Sequence, residues 1–150
     1  MCYTLLAAKG YNVQESLLQE DQIDNCKDLL ERFGDKLVLP VDLTAASKFA
    51  ADAETQVVEL DSIPEGWMSL DIGPKSVEKF AEVLASSKTV FWNGPMGVFE
   101  MEAFSKGTAG VAQAIIDATV KNDSFSVVGG GDSAASVRML GLDAVSYTHL

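Results

Sequence analysis

The residues best suited to chemistry lie where an apolar strand gives way to Gly129-Gly130-Gly131-Asp132-Ser133. Three glycines between a strand and a helix allow torsions closed to other residues and leave room for a ligand. The helix that follows directs free N–H groups and its positive dipole end at that space, which suits phosphate. Asp132 has two readings. An Asp before Ser133, Ala134 and Ala135 is an ordinary helix N-cap, but beside bound phosphates it supplies a hard carboxylate oxygen for Mg²⁺.

Two further segments have unusual residues at strand ends. In Trp92-Asn93-Gly94-Pro95-Met96-Gly97-Val98-Phe99-Glu100, two glycines and a proline fix an irregular loop. Such a loop offers Val98 as an apolar face for a base and Glu100 as an acceptor for ribose hydroxyls. The plainer reading is a structural turn with Glu100 solvated near a helix start. In Gly66-Trp67-Met68-Ser69-Leu70-Asp71-Ile72-Gly73-Pro74, apolar and polar residues alternate from Met68 to Ile72. Leu70 there is suited either to walling a cleft or to the core.

The elements that must position these segments follow from periodicity. Ile23, Cys26, Leu30 and Phe33 recur at helical spacing and Gly34 stops the pattern. Leu37–Val41 is a continuous apolar run that predicts a strand buried on both faces, and a helix is predicted near Ala45–Ala51. Strands are further predicted at Gln56–Leu60, Trp67–Ile72, Thr89–Trp92 and Ser126–Val128, with a turn at Ile63–Gly66. Helices are predicted from Pro74 onward, through Phe104, Val111, Ile115 and Ala118, and over Ala134–Leu140. This alternation predicts an α/β fold: a doubly wound, mostly parallel sheet with helices on both faces, Rossmann-like, in one incomplete domain. Ligands of such sheets bind beyond the carboxyl ends of the strands, where the three segments lie.

Composition narrows the partners. The chain of 150 residues is 47% hydrophobic and 22% charged, as expected of one globular domain. Its apolar runs are too short to span a bilayer, and no signal peptide is expected after Met1. Cys2 and Cys26 lack metal-ligand spacing and are expected to be structural thiols of a reducing, cytoplasmic compartment. A net charge of −11 argues against nucleic acid and anionic membranes. It also sits poorly with a polyphosphate site, since there are only 11 Lys and Arg. Either backbone amides bind the phosphates or the cations lie on other chain.

In this order and spacing the three segments resemble phosphoglycerate kinases. Trp92–Glu100 and Gly129–Ser133 carry most of the likeness, supported by Leu39-Pro40-Val41-Asp42, Lys48-Phe49-Ala50 and Gly66-Trp67-Met68. The similarity covers about residues 1–146 and looks like the C-terminal, nucleotide-binding half of a two-domain enzyme, leaving residues 147–150 as a non-matching tail. The resemblance implies reversible phosphoryl transfer from 1,3-bisphosphoglycerate to ADP with Mg²⁺, giving 3-phosphoglycerate and ATP. It implies that Leu17, Leu70 and Val98 line the adenine cleft, with the Ser69 backbone beside the base. Glu100 would hold the ribose, and Asn93 and Pro95 would shape the triphosphate side. Gly129 would belong to the phosphate strand end, Gly130 and Gly131 would present amides to the phosphates during transfer, Asp132 would serve the metal, and Ser133 would add a hydroxyl contact.

The chain also departs from the family. Ser69 stands where the family usually has Gly, and Ser133 where Thr is common. Met1 aligns just after a glycine-rich strand end and reads as an internal methionine. The family's phosphate-holding lysines and the basic domain for 3-phosphoglycerate or 1,3-bisphosphoglycerate precede that point. The isolated chain is therefore expected to be inactive, and the parent enzyme monomeric. His149, the only histidine, is expected to have no role. A non-catalytic nucleotide-binding module completed by a partner chain is the alternative. A dinucleotide-dependent oxidoreductase would need a Gly-x-Gly-x-x-Gly turn after the first strand and an acidic residue ending the second, a pair this chain lacks.

Overall fold

The computed structural model describes residues 1–142 and the backbone of residues 148–149. The chain divides into two compact units, Met1–Ser76 and Val77–Leu150, where the sequence pattern reads as one. Among the described residues no helix is long and apolar enough to cross a membrane.

The first unit opens with α1 (Cys2–Ala8), a short 3-10 turn (Glu20–Gln22) and α2 (Ile23–Phe33). The helix predicted from Ile23, Cys26, Leu30 and Phe33 is found and stops at Gly34, with Cys26 fully buried but Phe33 exposed. Three strands follow, β1 (Asp42–Ala46), β2 (Thr55–Glu59) and β3 (Met68–Ile72), in the order β2-β1-β3. Both pairings are antiparallel. Leu6, Val13, Leu43, Ala45, Val58 and Ile63 form the core, with Trp67 and Tyr11 packed against it.

Two predictions for this unit fail. The run Leu37–Val41 forms no strand, because a strand exists only where a neighbour completes its ladder, and β2 meets the chain from Asp42 onward and β3 from Leu43. Nor is there a helix over Ala45–Ala51: Ala45 and Ala46 belong to β1, and residues 47–50 bend. Ser47 N–H donates to the Glu54 carbonyl at 3.0 Å and Glu54 N–H to Ser47 Oγ at 3.2 Å, closing a hairpin. Hairpin closure overrides the weak helical preference of the alanines.

β3 has a register shift. Thr44 faces Asp71 and Ala45 faces Ser69, so the ladder skips Leu70. Such a bulge re-aims side chains on its strand. Ser69, Leu70, Asp71 and Ile72 are consequently all buried, although their polarity alternates.

Asp42, only 1% exposed, holds the start of α3 (Pro74–Ala85). Its carboxylate accepts Lys75 N–H at 3.0 Å, Ser76 N–H at 2.7 Å and the Ser76 hydroxyl at 2.6 Å. Ser76 Oγ in turn accepts Val41 N–H and Asp42 N–H. This does the work of an N-cap from a distant strand, and Pro74 needs no partner at the first helical position. A side chain at Gly73 would run into the same carboxylate.

The second unit contains β4 (Thr89–Asn93), a 3-10 turn (Glu102–Phe104), α4 (Lys106–Asn122), β5 (Phe125–Gly129), α5 (Gly131–Met139) and β6 (Thr148–His149). Its strands run parallel in the order β4-β5-β6. The expected parallel sheet is thus found here and not in the first unit. Val111, Ile115 and Ala118 are buried on α4 as predicted, whereas Phe104 is buried from the turn before it. α4 ends where Asp123 adopts a left-handed φ of 54°. Tyr147 and Leu150, from the expected tail, lie outside the described residues, as do residues 143–146 of the expected domain. The backbone of Thr148–His149 pairs with Val127–Val128.

Removing the Asp42 carboxylate leaves the buried Ser76 amide and the part-buried Lys75 amide without their acceptor, and leaves the Ser76 hydroxyl only the Asp42 carbonyl at 2.8 Å. Asp42→Ala is expected to cost about 3 kcal/mol of stability, read as a lowered denaturant midpoint. An unchanged midpoint would show that the cap is dispensable.

Candidate functional site

The predicted site residues fall in both units, Leu17, Ser69 and Leu70 in the first and the rest in the second. In the first unit, Leu17 stands 80% exposed on the loop between α1 and α2. Its neighbour Ser16 is buried, and Ser16 Oγ accepts Ser69 N–H at 2.9 Å. Glu15 N–H donates to the Trp67 carbonyl at 3.0 Å. These bonds bring the Leu17 loop against the strand that carries Ser69. Leu70, at the bulge, is buried in the core sense, with 8% exposure.

The Ser69 hydroxyl is engaged from two sides. It accepts from the Tyr3 hydroxyl at 3.1 Å and donates to the Asp71 carbonyl at 3.2 Å. Burial pushes the Tyr3 hydroxyl up to about 12, with the Ser69 bond opposing and nearby Cys2 and Asp71 adding. Burial likewise pushes the Cys2 thiol up to about 11.

In the second unit, Asn93 pairs in register with Gly129, so β4 and β5 end level and their loops leave from one edge. Gly129 is buried against Phe91, whose ring would lie 2.7 Å from an added Cβ. Gly130 has φ +89° and caps α5, and an added Cβ there would lie 2.8 Å from Asn93 Oδ1. Gly131 opens onto free space. Asp132 is exposed in the first turn of α5 and is not the N-cap, so its capping role is overturned: the chain turns into the helix at Gly130. Ser133 is fully buried, and its Oγ accepts Gly94 N–H at 2.6 Å, tying the two strand ends together.

The loop after β4 is irregular, as its composition predicts. Trp92 Nε1–H donates to the Gly94 carbonyl at 2.7 Å, and Gly94 has φ +100°. Pro95 and Val98 are half-buried, Phe99 is buried and Glu100 is exposed in a turn. Ser16, Thr108 and Tyr3 were missed by sequence reasoning. Nothing in the surrounding sequence marks them, since Ser16 follows Gln14 and Glu15 and Thr108 follows Lys106 and Gly107; only burial in the fold gives their hydroxyls a demand for partners.

The segments around these strand ends, residues 89–105 and 122–137, contain no Lys, Arg or His. Elsewhere Lys27, Arg32, Lys48, Lys75 and Lys121 are paired with Asp24, Asp28, Asp52, Glu59 and Asp117. The polar groups of the glycine strand end are therefore backbone amides, a carboxylate and a hydroxyl. Among the described residues no cluster of three or more metal-ligating side chains exists. A divalent cation at Asp132 would need most of its oxygens from a ligand, as Mg²⁺ usually has beside phosphates.

Fold and geometry define a mixed α/β protein with an antiparallel three-stranded sheet and a parallel unit whose strands end in glycine-bearing loops. Comparison with known proteins narrows that class. The family model described as phosphoglycerate kinase matches residues 1–150, and the chain belongs to this family. It is 81% identical over 150 residues to the phosphoglycerate kinase of Corynebacterium aurimucosum and 59% identical to that of Mycolicibacterium smegmatis. These matches cover the whole chain but only 37% and 36% of the two relatives. The solved structure of phosphoglycerate kinase from Coxiella burnetii superposes with a TM-score of 0.92 at 34% identity, over 99% of this chain and 38% of that one.

Two outcomes follow from this geometry. Gly130→Ala forces a side chain into a left-handed conformation against Asn93, and is expected to cost about 1–3 kcal/mol. Gly131→Ala, in open space, is expected to cost less than half of that; equal midpoint losses in urea would contradict it. Because Cys2 and Tyr3 ionise later in the native state than in the unfolded chain, stability is full below the unfolded values of 9.0 and 10.0. It declines as pH rises from 9.0 to about 11 for Cys2 and from 10.0 to about 12 for Tyr3. Tyr3→Phe is expected to flatten the upper part of that decline, measured as urea midpoint against pH.

Proposed function

We propose that this chain is the nucleotide-binding part of a phosphoglycerate kinase and holds Mg·ADP or Mg·ATP. The observation that carries the reading is the level ending of β4 and β5, with Ser133 tying Gly94 to the first turn of α5. One edge of a parallel sheet then offers the Gly130 turn, the open Gly131 backbone and a helix N-terminus together. That combination accepts phosphate without a local cation. The β4-α4-β5-α5-β6 succession also supports the finer reading of residues 1–146 as part of a doubly wound, Rossmann-like domain.

In this reading the Gly130 and Gly131 amides hold the phosphates, and exposed Asp132 helps hold Mg²⁺, which supplies charge neutralisation. Asn93 and Pro95 border the triphosphate side, Val98 meets the base and Glu100 accepts the ribose hydroxyls. In the whole enzyme an ADP β-phosphate oxygen bonds to the phosphorus of 1,3-bisphosphoglycerate as that phosphorus leaves the acyl oxygen. ATP and 3-phosphoglycerate result.

This transfer is positioning plus neutralisation of charge. Mg²⁺ would supply part of that neutralisation, and a chain of net charge −11 without a cation of its own on its glycine loops does not provide the rest. Turnover, and the binding of 3-phosphoglycerate or 1,3-bisphosphoglycerate, are accordingly assigned to the remaining part of a monomeric cytoplasmic enzyme.

Calorimetric titration of the folded chain with Mg·ADP tests the reading. Saturable binding is expected, weakened about tenfold by Glu100→Ala, the loss of roughly one charge-assisted hydrogen bond. No heat at millimolar nucleotide from a chain shown to be folded would reject nucleotide binding by this part.

A further inference from the structure

Val98 and Glu100 belong to neither a strand nor a helix, so something else must set their loop. Thr108, the third residue of α4, is fully buried. Its Oγ1 accepts Met96 N–H at 3.1 Å and Gly97 N–H at 3.4 Å, the two amides that precede Val98. The helix around it buries Val111, Ala112 and Ile115. Valine would fill the same space without a hydroxyl to desolvate, so the polar atom is accounted for by the two loop amides. Helical threonines more often bond back to their own carbonyls, as Thr119 does to Ile115 at 2.8 Å. Phe99 and Phe104 are buried on either side of Glu100, so the loop is anchored at its apolar residues and aimed by Thr108.

We propose that Thr108 is a positioning residue for the nucleotide: it fixes the Met96 and Gly97 amides and thereby presents Val98 to the base and Glu100 to the ribose. The proposal rests on the nucleotide-binding reading above. It differs from a packing role by being confined to one loop. The glycine strand end is tied separately, through Ser133 and Gly94.

The test compares Thr108→Val, which keeps shape and loses the acceptor, with Thr108→Ser, which keeps the acceptor. Thr108→Val is expected to weaken Mg·ADP about tenfold, and Thr108→Ser no more than about twofold. Magnesium tripolyphosphate, which has no base or ribose, is expected to bind both variants as it binds the unaltered chain. Equal weakening of both ligands, or of both variants, overturns the proposal. Amide hydrogen exchange supplies an arm independent of nucleotide. Met96 and Gly97 are expected to exchange faster in Thr108→Val and not in Thr108→Ser, and unchanged exchange overturns the proposal. Should the unaltered chain bind no Mg·ADP, the nucleotide reading fails by itself while exchange still decides what Thr108 holds. If Thr108→Val does not fold, Thr108→Ala replaces it in every arm.

Discussion

Lys75 and Ser76 present their N–H groups, at the start of α3, to a carboxylate supplied 33 and 34 residues earlier by Asp42. The Ser76 amide is buried from water, so an oxygen from the chain must meet it, and the strand that carries that oxygen is fixed in the same act. Ser76 returns the bond by accepting the Val41 and Asp42 amides. The first position of β1, the end of β3 at Gly73 and the first turn of α3 are thereby made one structure. Gly73 is required there because the carboxylate occupies the space of a side chain.

The same constraint recurs wherever a loop must hold a shape without a ladder. Ser16 receives the Ser69 amide, Thr108 those of Met96 and Gly97, and Ser133 that of Gly94. All three oxygens belong to buried side chains. A hydrogen bond buried in this way adds little net stability but costs a good deal to break, so its chief effect is to make one loop conformation far better than others. Irregular segments held so rigidly can carry a binding surface, because a ligand then need not order them itself.

Negative charge shapes what such a surface can do. The chain carries 22 Asp and Glu against 11 Lys and Arg, and neither glycine-bearing loop has a cation of its own. Backbone amides and a helix N-terminus attract phosphate with fixed partial charge, enough to orient an anion. Neutralising the charge of a transferred phosphoryl group takes full cations. This distinction separates holding a nucleotide from turning it over. The chain spans about 37% of the length of its curated relatives.

By itself the sequence determined the local elements with clear periodicity, such as α2, α3 and α4, and the family, since Trp92–Glu100 and Gly129–Ser133 are specific runs. It also marked the glycines, whose torsions are a property of the residue: Gly94 and Gly130 do take positive φ. What it could not decide depends on partners far along the chain. The run at 37–41 looks like a strand and the alanines near 45 like a helix, until the ladder to β2 claims Ala45 and Ala46. The direction of the first sheet, the bulge at Leu70 and the division at Ser76 are likewise products of pairing and packing. Thr108 reads as an ordinary helical residue because its hydroxyl serves amides 11 and 12 positions away. Periodicity and residue type record what a segment prefers, and only the folded chain records which distant oxygen meets which amide.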